Sequence, residues 1–312
     1  MQETDNNSSS NNGDDEIDLK ELLLILFQGK KIIAFVMSFL IILGVIYSLI
    51  LPNIYESEAL LASSDVSSNE GAAGNAGALA ELVGINLPSS NTSINSAKAL
   101  EAMNSLNFFE NNLMPKIFLP NLMAIDSWDS EKNTIFYDES LFDVNSNTWV
   151  RNFSYPYKLI PSAQESFEIF KEDHLNISED KKTGFVTLTV KHQSPFLAKQ
   201  WVELIVSEIN SFYRQKDKLA AEKSIKFLSD QITKAGLIEV RQVIAALLQK
   251  EIQELTLIEA NEAYVFDYIY PPAVMEEKTE PSRAFIIILF TLSGGILGVF
   301  IVLIRHLFLR KD

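Results

Sequence analysis

The chain has 312 residues, with 26 basic and 41 acidic side chains and a net charge of −15, a balance that excludes recognition of nucleic acid or of anionic lipid through a basic face. It contains no cysteine, so neither disulfides nor thiolate chemistry enter. Its three histidines, His174, His192 and His306, are scattered without ligand spacing, and no H-E-x-x-H or Cys/His cluster occurs, which argues against structural zinc.

Residues 1–13 (MQETDNNSSSNNG) are polar and low in complexity, the composition of a disordered segment. Across 16–29, apolar residues at Ile17, Leu19, Leu22, Leu23, Ile25 and Leu26 admit two readings: a short amphipathic helix on the inner membrane face, or a plain extension of the helix that follows. The run 32–51 holds 20 residues without a charge and the run 284–304 holds 21. At about 1.5 Å per residue, each matches the ~30 Å hydrocarbon core of a bilayer. The first run is too long for the apolar part of a signal peptide, and Leu51-Pro52-Asn53 offers no small-x-small cleavage site. The chain therefore reads as a membrane hairpin. Lys30, Lys31, Arg305, Arg310 and Lys311 flank the spans on one side, and Arg283 alone on the other. The positive-inside rule then places tails 1–31 and 305–312 in the cytoplasm and the large segment between the spans outside it.

After the first span, 55–61 reads as a strand, 63–78 (rich in Ser, Gly and Ala) as a loop, 79–87 as a short helix, and 95–112 as one helix with Ala99, Leu100, Met103, Leu106 and Phe109 on a face. Residues 115–160 are aromatic and irregular, with Trp128, Phe136, Tyr137, Phe142, Trp149, Phe153, Tyr155 and Tyr157. They read as core and loop, with a sugar-stacking platform as the functional alternative. A short helix over 162–171 precedes strands 175–178 and 185–191, joined by the turn 179–184. Alternation in the second strand places Val186, Leu188 and Val190 on a core face.

Ser194 as N-cap and Pro195 as first helical residue open a long helical region. Apolar residues recur at Ala198, Val202, Ile205, Ile209 and Phe212, then at Ile225, Leu228 and Ile232, and again at Leu237, Val240, Ile244, Leu247, Ile252, Leu255 and Ile258. Such spacing predicts helices packed in a coiled-coil-like way. If strand 185–191 neighbours 55–61, both ends of the region lie near the membrane, so the rod must fold back. Gly236 is the glycine placed to stop the first helix. The unequal arms, 195–235 and 237–262, predict an outer part of the first arm without an intrachain partner, so that either a neighbouring subunit covers it or Gly236 is not the turn. A last strand, 263–270, leads to Pro271, Pro272 and Pro281, which cannot continue a strand ladder and suit an extended, semi-rigid approach to the second span. Within the spans, Gly294 and Gly298 form G-x-x-x-G, and Gly44 with Ser48 a second pair of small residues, spacings that let helix backbones approach closely in lipid.

Four segments resemble the Wzz-type chain-length determinant proteins, the polysaccharide co-polymerases of Gram-negative inner membranes. Asp15-Glu16-Ile17-Asp18-Leu19, followed by a span and Tyr55-Glu56-Ser57, is similar to their entry segment. Pro195-Phe196-Leu197-Ala198-Lys199-Gln200-Trp201-Val202, with Glu208-Ile209-Asn210, is similar to the start of their long helix, and Leu237-Ile238-Glu239-Val240-Arg241-Gln242 to a stretch midway. Tyr270-Pro271-Pro272-Ala273-Val274 through Pro281-Ser282-Arg283 resembles their approach to the second span, with Glu276 and Thr279 where members often carry further prolines. The resemblance implies a membrane-proximal α/β base, a long helical projection, a homo-oligomeric ring, and control of the modal length of a surface polysaccharide, usually the lipopolysaccharide O antigen. It also implies a membrane O-antigen polymerase and lipid-linked polysaccharide as partners.

No G-x-x-x-x-G-K-[ST] loop, G-x-S-x-G elbow or histidine beside a candidate nucleophile occurs, so no catalytic residue, cofactor or metal site is expected. The expected fold is an α+β membrane protein: transmembrane helices 32–51 and 284–304 flank a periplasmic α/β base domain (52–194), a long coiled-coil-like helical hairpin (195–262) and a last strand with the proline lead (263–283). The expected function is chain-length regulation of O antigen by an oligomeric, non-enzymatic scaffold in the inner membrane. The alternatives are a co-polymerase for capsule, exopolysaccharide or common antigen, a periplasm-spanning secretion adaptor, and a glycan-active enzyme using the aromatic segment.

Overall fold

The computed structural model describes residues 19–64 and 92–309. The expected loop at 63–78 (from 65 on) and helix at 79–87, like the first 18 residues, lie outside the described residues. The chain divides into two compact units, Met1–Pro52 with Pro281–Asp312, and Asn53–Glu280.

The first unit is helical. α1 (Leu19–Gln28) is set off from α2 (Lys30–Ile50) at Gly29, where an added Cβ would overlap Val302. α2 lies against α9 (Arg283–Leu309), and the pairings of Ile33 with Gly298 and Gly44 with Phe290 make the two antiparallel. Both helices are long and apolar enough to cross a membrane, and most of each faces outward, unlike the core helix of a soluble domain.

The second unit is built on a four-stranded antiparallel sheet in the order β6-β7-β1-β8. β1 is Tyr55–Ser63, β6 Leu175–Glu179, β7 Val186–His192 and β8 Phe266–Tyr270. The register sets Tyr55 opposite His192, Ala59 opposite Leu188 and Leu61 opposite Val186. Ser57, Ala59 and Leu61 on β1 and Val186, Leu188 and Val190 on β7 are all buried, so period-2 alternation makes one core face, as the sequence requires. Thr189 is buried as well. The β6–β7 turn uses Gly184 at φ +71°, a conformation that favours glycine.

Helices cover that face. α3 (Thr92–Met103) ends at Asn104, and Ser105 accepts a hydrogen bond from Phe108 N to begin α4 (Leu106–Phe108), which widens into a π turn, Phe109–Leu113. The single helix expected over 95–112 is therefore broken, because Ser105 serves better as a cap than as an interior residue. After α5 (Pro120–Met123), the aromatic stretch forms two small antiparallel pairs: β2 (Ile125–Asp129) with β3 (Thr134–Tyr137), and β4 (Phe142–Asp143) with β5 (Thr148–Trp149). α6 (Ala163–Ile169) is capped by Ser162, whose Oγ accepts from Glu165 N, and continues into a π turn, Phe170–His174.

α7 (Pro195–Lys234, 40 residues) and α8 (Ile238–Ala260, 23 residues) form the long hairpin. The first half of α7 packs on the sheet through Trp201, Val202, Ile205, Val206 and Ile209, and only its second half runs beside α8. This corrects the expected mismatch: the surplus length of the first arm lies at its inner end, where the sheet covers it, not at its outer end. Ser194 occupies the N-cap position but makes no side-chain cap. Its N–H instead donates to His192 Nδ1 at 2.8 Å.

Candidate functional site

Among the described residues, no group of three or more His, Cys, Asp or Glu could hold a metal ion. The surfaces of interest are packing surfaces, and the apolar helix pair is the closest. A Cβ on Gly294 would stand 2.9 Å from Met37 Cα, and one on Gly298 2.9 Å from Ile33 Cα, so bare backbone meets backbone. A Cβ on Gly44 would stand 2.8 Å from Phe290 Cβ. Gly44 and Ser48 are the buried residues of α2. The structure thus brings Gly294, Gly298 and Gly44 into contacts within one chain. Gly298→Leu is expected to lower the thermal midpoint of the detergent-solubilised chain, at a cost of about 1–3 kcal/mol from overpacking. Ile296→Leu, at a position 69% exposed, is the control. Equal midpoints for the two variants would remove the packing role.

The hairpin turns between Lys234 and Ile238, with Gly236 between them. Gly236 does not take a left-handed angle and a Cβ there would meet nothing, so the turn does not depend on its missing side chain. The contact stripe on α8 also differs from the expected one. Ile244, Leu248, Leu255 and Ile258 are the more enclosed positions, while Leu237, Val240, Leu247 and Ile252 are exposed. α8 therefore keeps apolar residues exposed toward the turn and on the flanks of the strip that meets α7. At the hairpin base, Lys218 pairs with Glu259 at 2.7 Å, and Tyr264 OH donates to Asp217 Oδ2 at 2.8 Å. Burial, then that bond to Asp217, holds the Tyr264 phenol above its usual range.

Where α7 leaves the sheet, three rings meet. His192 and His174 have centroids 5.6 Å apart, and both stand edge-on to Trp201, at 4.9 and 5.4 Å. His192 Nδ1 accepts from Ser194 N, so Nε2 carries the proton and donates to Asn121 O at 3.1 Å. Burial pushes the His192 imidazole down to about 4, against the opposing pull of Asn121 O and with a smaller push from His174. Burial also lowers His174, against its bond to Lys191 O. Sequence spacing gave no hint of this pairing of histidines 18 positions apart.

Two further clamps escaped the sequence reading. Asn210, buried on α7, donates through Nδ2 to Phe266 O and accepts through Oδ1 from Val265 N and Phe266 N. Arg151 bonds both oxygens of Glu165 and the carbonyls of Lys158 and Leu159, fixing the loop that exposes Phe153, Tyr155 and Tyr157. Of the expected core aromatics in 115–160, Phe142 is buried, while Phe136, Phe153, Tyr155 and Tyr157 are exposed. The proline lead is tied down: Ala273 O accepts from Ser57 Oγ at 2.8 Å, Pro272 is buried, and Ile54 bridges Glu280.

Residues 15–107 match the Wzz family model, described as chain length determinant protein. The matched segment takes in α1, α2, β1 and α3. Two solved structures are similar to the chain. One is a full-length bacterial polysaccharide co-polymerase, 15% identical over 95% of this chain and 99% of that one, with TM-score 0.41. The other is a fragment of WzzB, a polysaccharide co-polymerase from Salmonella Typhimurium, 14% identical over 73% of this chain and 100% of that one, with TM-score 0.35. A search of curated proteins found no match.

Proposed function

We propose that this chain regulates the length of a surface polysaccharide, foremost the lipopolysaccharide O antigen, as a non-enzymatic homo-oligomer in the bacterial inner membrane. α2 and α9 are its two spans, both ends are cytoplasmic, and Asn53–Glu280 stands in the periplasm beside a membrane polymerase and its lipid-linked glycan. The match of 15–107 to the chain length determinant model carries this reading. The basic residues agree with the orientation: in the antiparallel pair, Lys30, Lys31 and Arg305 gather at one end and Arg283 lies at the other. Exposed apolar residues of α8, among them Leu237, Val240, Leu247 and Ile252, support the self-assembly this reading includes. Nothing in this reading needs a cofactor.

The test is the lipopolysaccharide ladder of a strain lacking the chain. The expected result is loss of the modal band and a smooth spread of lengths. An unchanged ladder, with capsule or exopolysaccharide altered instead, would move the reading to that glycan; no change in any surface glycan would end it.

A further inference from the structure

Very little chain joins the sheet to the apolar helices. α2 ends at Ile50 and β1 begins at Tyr55; Ile54 bridges Glu280, and α9 begins at Arg283. An extended residue covers at most about 3.5 Å, so Glu280 stands within roughly 10 Å of the start of α9 along the chain. The headgroup layer on each side of a bilayer is about 5–8 Å thick. If α2 and α9 span the membrane, as the proposed function holds, covalent length alone keeps Glu280 within roughly 10 Å, Ile54 within roughly 14 Å and Tyr55 within roughly 18 Å of the span ends, close to that layer.

Three aromatic side chains from three separate elements converge on this end of the sheet. The Tyr55 ring meets Trp128 of β2 edge-on at 5.4 Å, and Trp128 meets Phe196, in the first turn of α7, at 6.5 Å. Phe196 is exposed and the other two are half-buried. The indole N–H of Trp128 is satisfied by Asn133 Oδ1 at 3.0 Å, which leaves the ring itself to be accounted for. Nearby are Lys191, paired with Glu280, and Lys278, bonded to Asn53 Oδ1. Aromatic rings with one polar edge, accompanied by lysines, are the side chains that settle at a membrane–water interface.

We propose that Tyr55, Trp128 and Phe196 form an interfacial anchor that seats the base of the large unit on the lipid headgroups of the leaflet next to it. The anchor fixes the tilt of the sheet, and hence the direction in which the hairpin leaves it.

The chain has three tryptophans, and Trp201 is buried in the core, so fluorescence can test this directly. The full chain is placed in nanodiscs whose lipids carry bromine either high on the acyl chain or near its end. Shallow bromines are expected to remove about a third of the emission, the share of one tryptophan in three, and deep bromines much less. Trp128→Phe should abolish that quenching, and Trp149→Phe should leave it intact. Unquenched emission from the parent chain would overturn the anchor, as would quenching that survives Trp128→Phe or disappears with Trp149→Phe. Should Trp128→Phe fail to fold, the parent and Trp149→Phe decide the matter by themselves. Failure of the chain to remain in the disc would instead overturn the membrane-spanning reading on which the anchor rests.

Discussion

Asn210→Leu is expected to lower the stability of the sheet-containing unit by about 3 kcal/mol or more, because it orphans three buried backbone groups at about 1–3 kcal/mol each. Asn210 is 7% exposed. Its amide stands in for a strand partner: Nδ2 donates to Phe266 O at 2.8 Å, and Oδ1 accepts from Val265 N at 2.8 Å and Phe266 N at 2.9 Å. β8 begins at Phe266 and, among the described residues, pairs with β1 alone, so this side chain holds the point where the chain returns from the hairpin to the sheet. Leucine keeps the branch at Cγ and the number of heavy atoms, so the loss of hydrogen bonding is the main difference. Asn111→Leu is the control, since Asn111 is exposed and bonds only to Asn107 within its own turn; its cost should stay within about 0.5 kcal/mol. Urea unfolding of the full chain in detergent measures both. Equal midpoints would mean that Asn210 is not the clamp, and that β8 is held by its pairing with β1 alone.

Asn210 also marks what a sequence can and cannot disclose. Nothing in Glu208-Ile209-Asn210 distinguishes a buried amide from one on a solvated helix face, because its partners at Val265 and Phe266 lie 55 and 56 positions away. The alternation of Val186, Leu188 and Val190 was legible because half-buried strands impose period 2 over their whole length. The strands of the aromatic stretch were not, since β4 and β5 have two residues each and no period can be read from two. Helical spacing marked 195–262 as a long hairpin, and α7 and α8 form one. That spacing marked the contact strip on α8 too broadly: Ile244, Leu255 and Ile258 are enclosed, but Leu237, Val240, Leu247 and Ile252 are exposed, and periodicity cannot say how far a strip is covered. The same limit hid the corrected geometry of the arms. Length showed that α7 exceeds α8, but only packing of Trp201, Val202 and Ile205 on the sheet places the surplus at the inner end. In the apolar helices, by contrast, Gly294, Gly298 and Gly44 were conspicuous, because Gly294 with Gly298 and Gly44 with Ser48 stand four apart, the spacing that lets helix backbones approach closely.

Acid should weaken the foot of α7 before it titrates most carboxylates. The folded chain holds the His192 imidazole near 4, against an ordinary value of 6.5. A base depressed on folding takes up fewer protons folded than unfolded, so its contribution is fully present above pH 6.5. It is lost progressively as pH falls from 6.5 toward 4, and the total loss is about 3 kcal/mol. His174, depressed by the same burial, acts in the same direction. The structure supplies the cause: charging His192 places a proton on Nδ1, directly opposite the Ser194 N–H that now donates to it, at the residue preceding α7. Of the charged neighbours, Asp173 favours charging His174, while His174 opposes charging of His192. Trp201, edge-on to both rings, provides the readout. In the full chain in detergent, the urea midpoint followed by tryptophan emission is expected to fall steadily between pH 6.5 and 4.5. His192→Gln, which can still accept from Ser194 N and donate to Asn121 O, should flatten that fall while leaving the midpoint at pH 7.5 nearly unchanged. The Arg151–Glu165 pair is a separate acid-sensitive contact, because Arg151 lowers the Glu165 carboxyl below its usual value and its contribution fades only as pH falls through that lower range. A decline of equal slope in parent and His192→Gln would therefore assign the acid sensitivity to carboxylates and remove it from the histidine pair.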